Sequence, residues 1–200
     1  SLFLRKLKKL QKSSTEVEAW LILIQIHVFQ IAVLHFLTFF EALGPSPVSS
    51  WIHQDLKPAN IIVDDTMKIK VIDFGSVFVA GIAEIFIPIE HLGALGTATY
   101  SDPYYLQGRN TGIQGDIYAL ATITYELFTG ELPYGEKIEQ YVNSLEFDKL
   151  RYISATDHNP IIPLWFDRAL EKGVTLDLPK RYKCLQDYVD DVNQSDIMES

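Results

Sequence analysis

His53-Gln54-Asp55-Leu56-Lys57-Pro58-Ala59-Asn60 runs into Ile61-Ile62-Val63, Asp64-Asp65, Ile69-Lys70-Val71-Ile72 and Asp73-Phe74-Gly75, and this stretch decides the reading of the chain. Two β-branched runs around an acidic turn predict two short strands, since such side chains suit a pleated surface and aspartates suit the turn. The hairpin has Asp55, Lys57 and Asn60 at its entry and Asp73 at its exit. It thus gathers a proton acceptor, an ammonium group and two metal-ligand oxygens. Magnesium is a hard cation that takes one or two protein oxygens and fills its shell with phosphate oxygens and water. That combination is what phosphoryl transfer needs, because the protein's part is mostly positioning and electrostatics. Taken singly, Asp55, Asn60 and Asp73 could be turn and cap residues and Lys57 a surface lysine.

Working outward, 200 residues with 48% hydrophobic content can bury a core, which excludes disorder of the whole chain. The single cysteine, Cys184, excludes a disulfide-stapled module and makes a reducing, cytoplasmic setting the default. A net charge of −9 argues against nucleic acid as a partner. Residues 1–14 form a basic N-terminal segment, read as a solvated helix face, the alternative being an arm for a membrane surface or an acidic partner. Trp20 to Phe40 has no charged residue and is read as a buried core helix. Its length would also span a bilayer, but Gln25, His27, Gln30 and His35 would each need a partner in hydrocarbon. Gly44-Pro45-Ser46-Pro47 stops that helix. Ser76 to Thr97 reads as a long loop, and helices are expected over 116–128, 160–172 and 185–192. His27, His35, His91 and His158 lack ligand spacing and read as core or surface histidines. The chain opens on Ser1 and reads as a fragment.

His53 to Asn60 resembles the catalytic loop of eukaryotic-type serine/threonine protein kinases, and Asp73-Phe74-Gly75 their magnesium-binding motif. Further segments follow in the family's order. Gly96-Thr97-Ala98-Thr99-Tyr100 is similar to the substrate-facing end of the activation segment, Gly115 to Leu120 to the start of the central helix, Gly130 to Tyr134 to the turn after it, and Lys180-Arg181-Tyr182 to an arginine-bearing turn near the domain end. His-Gln-Asp in place of His-Arg-Asp, with Phe74 to Glu84, resembles a bacterial branch whose members often join the kinase to a metal-dependent phosphatase domain. The resemblance implies a mainly α fold: a kinase C-terminal lobe over 15–195, with a small β-hairpin carrying the catalytic loop and residues 196–200 as a tail. It implies ATP and Mg2+ as cofactors and Ser/Thr of a protein substrate as acceptor. Asp55 would be the catalytic base and Lys57 would neutralise the transferred phosphate, favouring serine and threonine over tyrosine. Asn60 and Asp73 would hold magnesium, and Thr97 would bond the base and Lys57. Asp116 would accept N–H groups of the catalytic loop, or cap a helix, and His53 would be structural.

Four departures qualify the resemblance. No glycine-rich loop or lysine-bearing strand precedes the catalytic loop in these residues, so the N-terminal lobe reads as absent and the isolated chain is expected to bind Mg-ATP weakly and not transfer phosphate. A kinase lobe or phosphatase domain elsewhere in the full-length protein would then be a partner. Gln54 replaces the arginine that meets a phosphate on the activation loop. Asp102-Pro103-Tyr104 stands where Ala-Pro-Glu is usual, so Arg181 needs either another acceptor, with Asp102 one candidate, or water. The Gly44 to Pro47 break would shorten or redirect the preceding helix. The expected function is a serine/threonine kinase within bacterial signalling. The retained Asp55, Asn60 and Asp73 favour that over the alternative, a catalytically inactive pseudokinase-like scaffold.

With Gln54 in place of the receiving arginine and Ser76 the only hydroxyl between Gly75 and Gly96, a loop held by packing and not by a phosphate is expected. Mass-spectrometric mapping is expected to find no phosphosite between Gly75 and Gly96, Ser76 included. One found there with a change in activity would contradict this reading.

Overall fold

A computed structural model of the chain describes residues 51–63, 69–74, 78–79, 99–135, 138 and 147–193. The expected apolar helix over 20–40, the Gly44 to Pro47 break, Gly75 and Thr97 lie outside the described residues.

The architecture is mainly helical with two small antiparallel sheets. Strand β2 (Ile61–Val63) pairs with β3 (Ile69–Val71), with Ile61 opposite Val71 and Val63 opposite Ile69. This is the expected hairpin. The second sheet, β1 (Trp51–Ile52) with β4 (Phe78–Val79), corrects the reading of 76–97 as loop throughout. Two-residue strands carry no periodicity of their own; they exist here because their backbones meet across the hairpin.

Five helices follow among the described residues. Helix α1 (Pro103–Leu106) is capped by Asp102, whose side chain accepts from the Tyr104 N–H. Helix α2 (Ile113–Thr129) is the axis of the fold, with eleven of its seventeen residues buried, and is longer at both ends than the 116–128 expected. A helix apolar on all sides is one packed on all sides. Its threonines fit because Thr122, Thr124 and Thr129 each donate to the carbonyl one turn back, at 2.9, 2.7 and 2.7 Å. Gly130 ends it in the left-handed region, φ 76°, with its N–H on the Glu126 carbonyl. After α3 (Ala155–His158) comes α4 (Leu164–Val174), which starts later than the predicted Pro160 because Pro163 forms its N-cap. Helix α5 (Leu185–Val192) lies where the sequence predicts it.

The main core joins α2 to α4 and α5 through Ile117, Tyr125, Phe128, Phe166, Leu170, Val174 and Tyr188. A second, smaller cluster positions the site. Leu56, Ala119 and Ile123 are buried together, and Ile61 and Val71 of the hairpin pack on them. The hairpin therefore lies with one face on α2. Burying Leu56 alone is worth about 2 kcal/mol. Among the described residues no helix is long and apolar enough to cross a membrane.

The crossing of α2, α4 and α5 depends on Gly173, where an added Cβ would sit 2.6 Å from Ala121 Cβ and 3.3 Å from the Tyr188 ring. Gly173→Ala is expected to cost about 1–3 kcal/mol through overpacking, read as a lower urea midpoint. An unchanged midpoint would show that these helices do not meet so closely.

Candidate active site

The loop between β1 and β2 carries three of the expected site residues, Asp55, Lys57 and Asn60, and its shape follows from local constraints. Lys57 precedes a proline and is extended (φ −156°, ψ 159°). Pro58–Asn60 then form a single 3-10 turn, closed by the Asn60 N–H on the Lys57 carbonyl at 2.9 Å. This turn brings three predicted residues into contact. Lys57 Nζ donates to Asp55 Oδ2 at 2.7 Å. Asn60 Nδ2 donates to the Asp55 carbonyl at 2.9 Å and to Asp55 Oδ2 at 3.0 Å. The Lys57–Asp55 pair is partly open to solvent, so it contributes at most about 1 kcal/mol to stability. Its effect is positional: it fixes a carboxylate beside an ammonium group at the entry to β2.

Asp73 enters from the other strand. The Ile72 N–H donates to the Asn60 carbonyl at 2.9 Å, which ties the end of β3 to the turn. Asp73 itself is exposed, with φ 63°. Aspartate tolerates the left-handed region better than most residues. Its carboxylate makes no ion pair among the described residues.

Beneath the loop, His53 is buried and couples the two strands. Its Nδ1 accepts from the Asp55 N–H at 3.3 Å and its Nε2 lies 3.3 Å from the Ile72 carbonyl. One neutral tautomer, protonated at Nε2, satisfies both contacts. Burial lowers the imidazole pKa, outweighing the Ile72 bond and the carboxylates of Asp55 and Asp73, so the neutral form is the one present. The Phe74 ring lies 5.4 Å from the His53 ring, centre to centre.

The loop is held from below by α2. Asp116 accepts the His53 N–H at 2.6 Å on one oxygen and the Gln54 N–H at 2.9 Å on the other. Gln54 stands at φ 66°, a conformation costing a non-glycine residue about 1–2 kcal/mol. A bond from a backbone N–H to a buried carboxylate is worth about 1.5–3 kcal/mol and offsets that strain.

Sequence reading alone did not single out the apolar rim. Ile62, Ile72 and Phe74 are 46%, 39% and 44% exposed beside Asn60 and Asp73. Ile61 and Val71 face the core, so strand alternation turns Ile62 outward. The uninterrupted β-branched runs carry no polar-apolar alternation that could have flagged this face. Arg181, left open between an acceptor and water, is 2% exposed and pairs with Asp102 Oδ2 at 2.6 Å.

The donor set fits magnesium. Both Asn60 Nδ2 bonds go to Asp55, so the amide oxygen is the end available to a ligand; Asp73 adds a carboxylate. Among the described residues no group of three His, Cys, Asp or Glu could hold a metal without help.

A sequence profile of the family described as "Protein kinase domain" matches residues 46–186. The probable serine/threonine-protein kinase PknB of Lactococcus lactis is 29% identical over 144 residues, 72% of this chain and 22% of that protein. Serine/threonine-protein kinase PknB of Mycobacterium leprae is 36% identical over 94 residues, 47% of this chain and 15% of the relative. Serine/threonine-protein kinase Pkn1 of Myxococcus xanthus is 35% identical over 102 residues, 48% of this chain and 14% of the relative. The chain thus spans about a fifth of these curated relatives or less.

Burial raises the Asp116 pKa to about 6, against the pull of its two N–H donors. A carboxyl raised this way adds stability below its unfolded value of 3.8 and loses it as pH rises through about 6. Acid therefore favours folding through this group while weakening its hold on the loop. In an NMR titration the His53 and Gln54 amides are expected to shift with a midpoint of about 6. A midpoint near the ordinary carboxylate value would contradict the burial argument.

Proposed function

Because this chain belongs to the protein kinase family, whose profile covers residues 46–186, we propose that it carries the phosphoryl-transfer site of a serine/threonine protein kinase. The observation that carries the reading is the contact of Asp55 with both Lys57 and Asn60, at the mouth of a hairpin whose other strand delivers Asp73.

The roles follow from the chemistry of each group. Asp55 orients the acceptor hydroxyl and takes its proton; it sits where a carboxylate is partly solvated and can be reached. Lys57 lies against that carboxylate and meets the negative charge of the phosphoryl group as it arrives, which suits a Ser or Thr acceptor. Asn60 and Asp73 would hold Mg2+, which, when bound, draws charge from the phosphate oxygens of ATP. Ile62 and Ile72 offer an apolar face to the flat base of the nucleotide. Thr97 is proposed to bond Asp55 and Lys57 from the acceptor side. His53 and Asp116 do not touch substrate; they keep the loop at its angle.

Substituting Asp73 and Asp55 separates binding from transfer. With a fluorescent ATP analogue and Mg2+, Asp73→Asn is expected to weaken binding about tenfold or more, whereas Asp55→Asn leaves binding within about twofold. Transfer to a serine/threonine peptide library, measured in the longest natural chain that contains these residues, is expected to fall about a thousandfold or more in Asp55→Asn. Full transfer in Asp55→Asn would overturn the assignment.

A further inference from the structure

Away from the reacting groups, the deepest charge in the described residues is Arg181, and its carboxylate partner Asp102 is 3% exposed. The Asp102 carboxylate makes three bonds. Oδ1 accepts from the Tyr104 N–H at 3.1 Å, and Oδ2 accepts from Thr111 Oγ1 and from Arg181 Nη1. The guanidinium is filled in turn: Nε and Nη2 donate to the Thr175 carbonyl at 3.1 and 2.9 Å, and Nη1 also donates to the Gln114 carbonyl at 3.1 Å. Gln114 answers with Nε2 on the Leu178 and Tyr182 carbonyls, at 3.2 and 3.0 Å. Three segments therefore meet at one buried charge: the start of α1, the first turn of α2, and the turn over 175–182.

Stability alone explains this poorly. A buried ion pair replaced on both sides by apolar residues of similar volume is often neutral or stabilising, whereas breaking one side is costly. What such a pair does supply is a unique arrangement, and here the arrangement leads to the active site. Gly115 passes so close that a Cβ would lie 2.9 Å from Thr111 Oγ1 and 3.6 Å from Asp102 Oδ2. The next residue, Asp116, holds His53 and Gln54. On the other side, Tyr105 of α1 lies within electrostatic reach of Asp55; burial, and then that carboxylate, raise its hydroxyl pKa.

We propose that Asp102 is a positioning residue for phosphoryl transfer: with Arg181 and Thr111 it fixes the register of α1 against the first turn of α2, and so the angle at which Asp116 holds the Asp55 loop. This rests on the kinase reading for its purpose, but its geometric content can be tested without catalysis.

The test is hydrogen exchange at the His53 and Gln54 amides, whose acceptor, Asp116, is untouched by the substitutions. In Asp102→Leu/Arg181→Met the melting temperature is expected to stay within a few degrees, while those two amides exchange about tenfold faster or more. A purely local structural role would leave them at their original rate, and that result overturns the proposal. Should the double variant fail to fold, Asp102→Glu keeps the charge and lengthens the arm by one methylene. The same acceleration is expected there, and unchanged protection overturns the proposal equally. Transfer assays on the longest natural chain separate the two readings. Absent transfer in the unsubstituted protein counts against the kinase reading, whereas intact transfer in Asp102→Leu/Arg181→Met counts against the role of Asp102.

Discussion

The loop that carries Asp55 exists in its present shape because one carboxylate, that of Asp116, receives two consecutive backbone N–H groups. Along a strand, successive N–H groups point to opposite sides. They converge here where Gln54 takes a left-handed conformation, and the two bonds to the carboxylate offset its strain. The chemistry follows from this constraint. With Gln54 turned, the Asp55 N–H reaches His53, and the Asp55 side chain meets Lys57 and Asn60. The cost is a charge buried without a cation beside it, visible in the raised pKa of Asp116.

Around that point the fold works as a stack of supports. Helix α2 is packed on all sides, so the turn bearing Asp116 has little freedom to move. Leu56 plants the middle of the loop on Ala119 and Ile123 of the same helix. The hairpin returns through Ile61 and Val71 onto that surface, and the bond from Ile72 to Asn60 closes the ring. Reactive groups thus sit on an irregular loop whose every turn is tied to regular structure, an arrangement that combines access with precision.

Much of this was legible before any coordinates. The hairpin could be read almost to the residue, because β-branched runs on both sides of Asp64-Asp65 allow few alternatives. Helix α5 is equally plain, and α2 is legible in its apolar body, although it begins three residues before the expected Asp116 and ends one after Phe128. The missed elements share one cause. The β1–β4 pair and the four-residue α1 and α3 are too short to write a period, and contacts from distant sequence stabilise them. The acceptor of Arg181 belongs with these. Asp102 lies 79 residues away, and nothing in Asp102-Pro103-Tyr104 shows which side chain turns inward. At the site, sequence order places Asp55, Lys57 and Asn60 at the entry of the hairpin, whereas their contacts and the outward aspect of Ile62 and Ile72 need the fold of the loop and the register of the strands.

In the proposed site, Asn60 and Asp73 face one cation beside Asp55. Manganese is a paramagnetic substitute for magnesium with the same preference for oxygen ligands. Added with ATP at low stoichiometry, it should broaden the NMR signals of Asn60 and Asp73 first and those of Asp55 and Lys57 next, leaving the core around Leu170 sharp. Broadening centred elsewhere, or spread evenly over the acidic surface, would contradict the account.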